Sequence, residues 1–204
     1  LNQIVDWGVM RGNAAGDLNP DQQITRAEFV TLVNRAFGYT EVGPNPFTDV
    51  PDGAWYAEDI CIAHKAGYFN GTSATTASPR ALVTREQAAV LIGRNLRLQG
   101  GGGLNSDFTD SRQMGAWSRG LVQEAADLGI IQGYADGAFR PKASITRGQV
   151  ACFLVRALGS LIHEPGEYNN MNVYGNLTVN TPGVTRRNAL ITGNLYLTGG
   201  VGLG

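Results

Sequence analysis

Three arginines stand directly after a threonine, in T-R-x-[EQ] stretches at residues 25–28, 84–87 and 146–149. A threonine followed three positions later by Glu or Gln, just ahead of an apolar run, is the signature of a capping box at a helix N-terminus. Arg26, Arg85 and Arg147 then fall in the first helical turn, beside unpaired backbone N–H groups and the positive end of the helix dipole. A cation there works against the helix. It suits a site that holds an anion, because the N–H groups and the guanidinium converge on it. In the adjoining loops Gly71 and Gly133 let the backbone approach a ligand closely. Tyr134, Trp55 and Trp117 offer apolar faces of the kind a sugar ring stacks on.

Each of these residues also has a plainer reading. The arginines fit a solvated helix start, paired with a nearby Asp or Glu. Trp55 and Trp117 stand where a helix must pack on its neighbours, which favours the core for both. Asp49 and Asp110 follow Phe-Thr and precede a helix, as capping or turn residues do. The loop glycines serve equally as turn formers, and capping accounts fully for Thr25, Thr84 and Thr146.

The elements that carry these residues repeat. GVMRGNAAGDLNPDQQITRAEF (8–29), GYFNGTSATTASPRALVTREQA (67–88) and GIIQGYADGAFRPKASITRGQV (129–150) align without gaps. Glycine, proline, threonine and arginine fall in register in all three. Two copies share an upstream half, FTD…W at 47–55 and at 108–117, while the first copy starts in mid-repeat at Leu1. Each full repeat reads as a helix stopped by glycine, a glycine-rich loop closed by proline, and a second, capped helix. The capped helices, FVTLVNRAF, AAVLIGRNL and VACFLVRAL, are apolar nearly all round, which places them in a centre among other helices. Three of them suggest a mainly α fold with pseudo-threefold symmetry about a central three-helix bundle. The domains expected are residues 1–40, 47–99 and 107–162 for the repeats, with GGGG at 100–103 as a linker, and a separate segment at 166–204.

That last segment changes period. NVYGNLTVNTPGV and NALITGNLYLTGG alternate β-branched and aromatic residues with Asn and Gly, and GNLTV at 175–179 returns as GNLYL at 193–197. A β repeat of this length resembles the first coils of a parallel β-helix. It reads as the start of a larger β domain or as strands docked on the helical part.

Composition excludes several function classes. The 204-residue chain carries a net charge of −1, without the basic footprint of a nucleic-acid binder. No stretch reaches the ~18 apolar residues of a membrane span. LNQIVDWGVM is not a signal peptide, so an export signal would lie upstream of it. Cys61 and Cys152 sit in apolar helical patterns and read as buried small hydrophobes, not as a disulfide. His64 and His163 are isolated, without metal-ligand spacing, and the DLNPDQQITRAEF stretch lacks the glycine and alternating carboxylates of a calcium loop. No catalytic group, metal or cofactor is expected, and the chain reads as non-enzymatic.

The residues F-T-D…W, G-Y-A-D-G-A-F-R-P at 133–141, I-T-R-A-E, V-T-R-E-Q and I-T-R-G-Q together resemble the S-layer homology (SLH) family over residues 1 to about 160. The resemblance implies a three-repeat pseudo-trimer that fixes a surface protein to the cell wall outside the cell. Its partner would be secondary cell-wall polysaccharide, often with pyruvylated N-acetylmannosamine, whose ketal carboxylate is the anion. It also implies grooves between repeats, with Arg26, Arg85 and Arg147 as ligand residues and Gly71, Gly133 and Tyr134 beside them. The competing reading is self-assembly with other S-layer subunits. Departures from the pattern, such as the non-aromatic loop GTSATTASP and Gly148 in place of Ala27, imply that the grooves are not equivalent.

Overall fold

The computed structural model describes residues 1–101 and 108–201. Glycines 102 and 103 of the expected linker and residue 107 of the third repeat lie outside the described residues. So do 202–204 of the last segment.

Three helices begin where the capping boxes predict: α2 (Arg26–Phe37), α4 (Arg85–Asn95) and α6 (Arg147–Leu158). In each, the threonine hydroxyl accepts from the backbone N–H three residues on, and the Glu or Gln there takes the threonine's own N–H. Between them stand α1 (Asn2–Asp6), α3 (Ala57–Lys65) and α5 (Ala116–Asp127). Glycines in left-handed conformation follow α1, α3 and α5: Gly8, Gly67 and Gly129, with φ of 68°, 80° and 71°. A side chain would strain that geometry, which is why the chain turns at these positions.

The capped helices touch one another pairwise, α2 with α4, α4 with α6 and α2 with α6. Their buried faces are large, and Phe29, Phe37, Ile24, Ile92 and Ile145 are fully enclosed. The extended residues just ahead of the helices join in a ring. Ile24 N–H donates to the Ile145 carbonyl, Ile145 N–H to Val83, and Val83 N–H back to Ile24, at 3.2, 2.9 and 3.1 Å. α3 lies on α2 and α5 on α4.

Past Gly159 the chain is β. Strands β1 (Ser160–Ile162), β4 (Leu177–Val179) and β7 (Leu195–Leu197) form one parallel sheet. β2 (Gly166–Asn169) pairs in parallel with β5 (Val184–Arg187), and β3 (Asn172–Val173) with β6 (Leu190–Ile191). Gly166 faces Val184 and Leu177 faces Leu195, so one turn of this coil matches the spacing of the GNL repeat. Among the described residues every α-helix precedes Gly159 and every strand follows it. The expectation of a mainly α chain therefore needs qualifying: among the described residues there are six α-helices and a set of short strands, segregated along the chain.

The coil docks on the helical part through polar groups. Thr178 Oγ1 donates to the Leu158 carbonyl at the end of α6 at 2.8 Å, and Asn180 Nδ2 to the Ala36 carbonyl at the end of α2 at 3.0 Å. Both carbonyls are helix-end groups without an intrahelical partner, so residues 178–180 cap the C-termini of two helices.

Candidate functional site

Each T-R arginine reaches into the loop of another repeat. Arg26 Nε donates to the Ala77 carbonyl at 2.8 Å, Arg85 Nε to Phe139 at 2.7 Å, and Arg147 Nε to Leu18 at 2.8 Å. Leu18, Ala77 and Phe139 each stand two residues before the aligned prolines, so one contact recurs in turn, from the first repeat to the second, the second to the third and the third to the first. The next residues, Asn19, Ser78 and Arg140, all have positive φ, between 47° and 58°. The loops thus share one backbone form.

Asp49 and Asp110 hold the same loops from the other side. Asp49 takes the N–H groups of Ala77 and Ser78, and Asp110 those of Phe139 and Arg140, all at 2.7 to 2.8 Å. These aspartates were expected to cap or turn locally. They clamp loops well downstream in the chain instead, because two adjacent N–H groups in this bend converge on one carboxylate. The peptide at Ala77 is therefore gripped between Asp49 and Arg26.

The first-turn N–H groups are not open to an anion, contrary to the expectation. Arg26 and Ala27 N–H donate to the Ala81 and Pro79 carbonyls, Arg85 and Glu86 to Ala143 and Pro141, and Arg147 and Gly148 to Gln22 and Pro20. Each helix start is docked on another repeat's loop, which satisfies the donors that a helix leaves unpaired. Any anion would have to be held by side chains.

Two of the three guanidinium groups are buried. Arg26 is 6% and Arg85 3% exposed, whereas Arg147 is partly exposed. Neither is paired with a carboxylate among the described residues. Among the described residues the ion pairs are Lys65–Glu41, Arg140–Asp136 and Lys142–Glu86. The expected partner Asp or Glu at the helix start is replaced by carbonyls and ring faces: Arg26 lies over Phe69, and Arg85 over Tyr134 and Phe139, each at 4.8 Å. Burial lowers the pKa of both arginines, with Asp49 partly offsetting this for Arg26 and chiefly Tyr134 for Arg85. A buried cation without an acidic partner is uncommon and marks a candidate site.

The sequence-predicted residues fall into separate clusters. Arg26, Gly71 and Trp117 line one groove, with Gln87 and Arg94. Arg85, Gly133 and Tyr134 line a second, with Gln149, Cys152 and Arg156. Residues 87 and 149, and 94 and 156, are equivalent positions, so the two grooves correspond. Arg147 joins neither; its Nη2 donates to the Arg11 carbonyl at 3.0 Å. Trp55 sits apart, beside Thr25, Glu28 and Arg80. Both tryptophans overturn the core expectation, with Trp55 65% and Trp117 55% exposed. Trp55 precedes α3, while Trp117 is the second residue of α5. Cys152 is also exposed, not buried as expected, and both thiols are free.

The loop glycines are doubly constrained. A Cβ on Gly71, whose φ is +73°, would meet the Phe47 ring at 2.6 Å, and one on Gly133 the Phe108 ring at 2.8 Å. Their turn-forming role stands, alongside their place on the groove wall. Sequence reasoning missed Arg35, Arg94 and Arg156. The signal was present: an arginine recurs nine positions after each T-R arginine, in the last turn of the same helix. Burial lowers the pKa of Arg35, and the nearby Arg11 adds to this.

The family model for the S-layer homology domain matches residues 2–30, 46–89 and 107–151, which together are more than half of the chain. The chain belongs to the S-layer homology domain family. Its three SLH matches each take in a loop and end inside a capped helix, at residues 30, 89 and 151. Among curated relatives it is 33% identical over 168 residues to the Surface-layer 125 kDa protein of Lysinibacillus sphaericus, covering 81% of this chain and 14% of that protein. It is 28% identical over 158 residues to the Cellulosome-anchoring protein of Acetivibrio thermocellus, covering 73% of this chain and 35% of the relative. An Amylopullulanase of Thermoanaerobacterium thermosulfurigenes is 30% identical over 152 residues, with 72% of this chain and 8% of the enzyme covered. The chain thus spans a small part of the relatives it matches.

Proposed function

We propose that these SLH repeats are a non-catalytic anchor that fixes a surface protein to the bacterial cell wall by binding a secondary cell-wall polysaccharide. The names of the surface-layer and cellulosome-anchoring relatives support this reading. In it, residues 1–40, 47–99 and 107–162 are the three repeats. α2, α4 and α6 are the central bundle that sets the inter-repeat grooves, and residues 166–204 are the first coils of a β unit. The bound unit is an acidic sugar, a pyruvate ketal, whose carboxylate meets an arginine while its ring lies on an aromatic face.

One observation carries the proposal. Arg26 is buried at a groove between repeats, and among the described residues it has no carboxylate partner and its terminal nitrogens have no hydrogen-bond acceptor. Supplying an anion from outside completes that charge, and a charge-assisted bond in a partly dry groove is stronger than one in water.

Co-sedimentation with purified wall sacculi tests it. The protein is expected to pellet with intact sacculi and to stay in solution when the secondary polysaccharide has first been extracted. Unchanged pelleting with extracted sacculi would overturn the anchor reading. Concentration-dependent assembly without sacculi, and no pelleting with them, would favour a lattice-forming role.

A further inference from the structure

The corresponding grooves differ in what already fills them. In the Arg85 groove the protein's own groups occupy the cation. Arg85 donates to the Phe139 and Gln132 carbonyls and is covered by Tyr134, Phe139 and Phe153. Gln149 Nε2 donates to Tyr134 Oη at 3.0 Å, and Arg156 to the Gln132 side chain at 2.8 Å. This groove encloses about 240 Å³, and the Arg26 groove about 360 Å³. Only the larger one reaches the size at which small-ligand pockets begin.

The Arg26 groove is open where the other is closed. Thr72 stands where Tyr134 stands in the third repeat, so no ring lies over the guanidinium from that side. Trp117, brought in by α5, supplies a half-exposed aromatic wall. Gln87 forms the box without adding charge. At the equivalent position of the first repeat, Glu28 puts a carboxylate beside Trp55, and no T-R arginine lines that pocket. Of these two grooves, among the described residues, only that of Arg26 unites a T-R arginine with acceptor-free terminal nitrogens and a neutral box residue.

We infer that the groove of Arg26, Gln87, Arg94 and Trp117 is the principal site for the acidic sugar, and that the Arg85 groove is silent because Tyr134 and its partners fill it. This rests on the anchor reading above. The tyrosine-for-threonine exchange at the loop position sets which of the two grooves works. Arg94, whose Nη1 holds the Tyr68 carbonyl at 3.2 Å, sits at the exposed rim as a second cation.

Paired variants that leave the capping boxes intact test the assignment. Gln87→Glu keeps the box, as Glu28 does in the first repeat, but sets a negative charge in the groove. Gln149→Glu does the same in the Arg85 groove. Binding is measured as the fraction of full chain pelleted with intact sacculi, with Tm recorded for each variant. Gln87→Glu and, separately, Trp117→Ala are expected to weaken binding by at least about tenfold with Tm little changed. Gln149→Glu should leave it within about twofold. A loss for Gln149→Glu equal to that for Gln87→Glu would overturn the assignment. So would polysaccharide-dependent binding that survives both Gln87→Glu and Trp117→Ala. Wild-type pelleting that ignores polysaccharide extraction would instead overturn the anchor reading itself, so the two failures are distinguishable.

Discussion

Glu86 is a carboxylate drawn out of water next to a helix start. It accepts from Gly115 N–H at 3.0 Å and Ser118 Oγ at 2.7 Å, and pairs with Lys142. Burial alone would raise its pKa, but the bonds from Lys142, Gly115 and Ser118 outweigh that and hold it below the usual carboxylate value. A depressed folded pKa means stability that is present above the unfolded value and is lost as pH falls through the folded one. Glu86→Gln is expected to lower stability by about 1–3 kcal/mol at neutral pH. The difference from wild type should shrink on acidification below pH ~4, and urea melts across pH check it. Asp49→Ala, which strands the N–H groups of Ala77 and Ser78, should cost about 2–3 kcal/mol by the same measurement. The arginine and aspartate positions were visible in the sequence as recurrences. Their partners were not, because spacing along the chain does not reveal that Asp49 and Arg26 meet on opposite sides of one peptide. The free first-turn N–H groups inferred for the arginines were wrong for the same reason, since their acceptors belong to other repeats, far off along the chain.

At the level of elements, the capped helices were the most legible part of the protein. Thr–x–x–[Glu/Gln] states both ends of a local bond pair, so α2, α4 and α6 begin where it says. Thr84→Ala should cost about 1 kcal/mol, read from thermal melts. The period of the β coil was legible for a similar reason, because parallel coils repeat in sequence what they repeat in space. Their docking was not. It depends on Thr178 and Asn180 reaching the ends of α6 and α2, and nothing in GNLTVN says which carbonyls those side chains will meet. Thr178→Val preserves shape in a fully buried position but leaves the Leu158 carbonyl without its donor. It is expected to destabilise the fold by about 1–2 kcal/mol, whereas Tyr196→Phe, at the matching place in the outer coil, should be neutral. A comparison of urea midpoints at constant m decides it.

Across the whole molecule, the equivalence of the repeats is close in backbone and loose in side chains. Every T-R arginine makes the same carbonyl contact, so removing any one of them removes a clamp between repeats. Arg147→Ala is expected to lower Tm by several degrees, because Leu18 and Arg11 lose their donor; thermal melts check this. Arg147→Lys should retain part of the stability, since one ammonium can serve one carbonyl and cannot span two. This differs from the simple expectation of a ligand arginine whose loss leaves the fold untouched. The surface charge is near balance, and no helix among the described residues is long and apolar enough to cross a membrane.

The closed circuit of backbone bonds through Ile24, Val83 and Ile145 has a consequence for how the protein comes into being. A chain emerging N-terminus first cannot complete it until residue 145 is free. Until then the start of α4 lacks the Pro141 and Ala143 carbonyls that receive its first N–H groups. The three helix starts are therefore tied to one another, and the circuit closes only when the last repeat has been made.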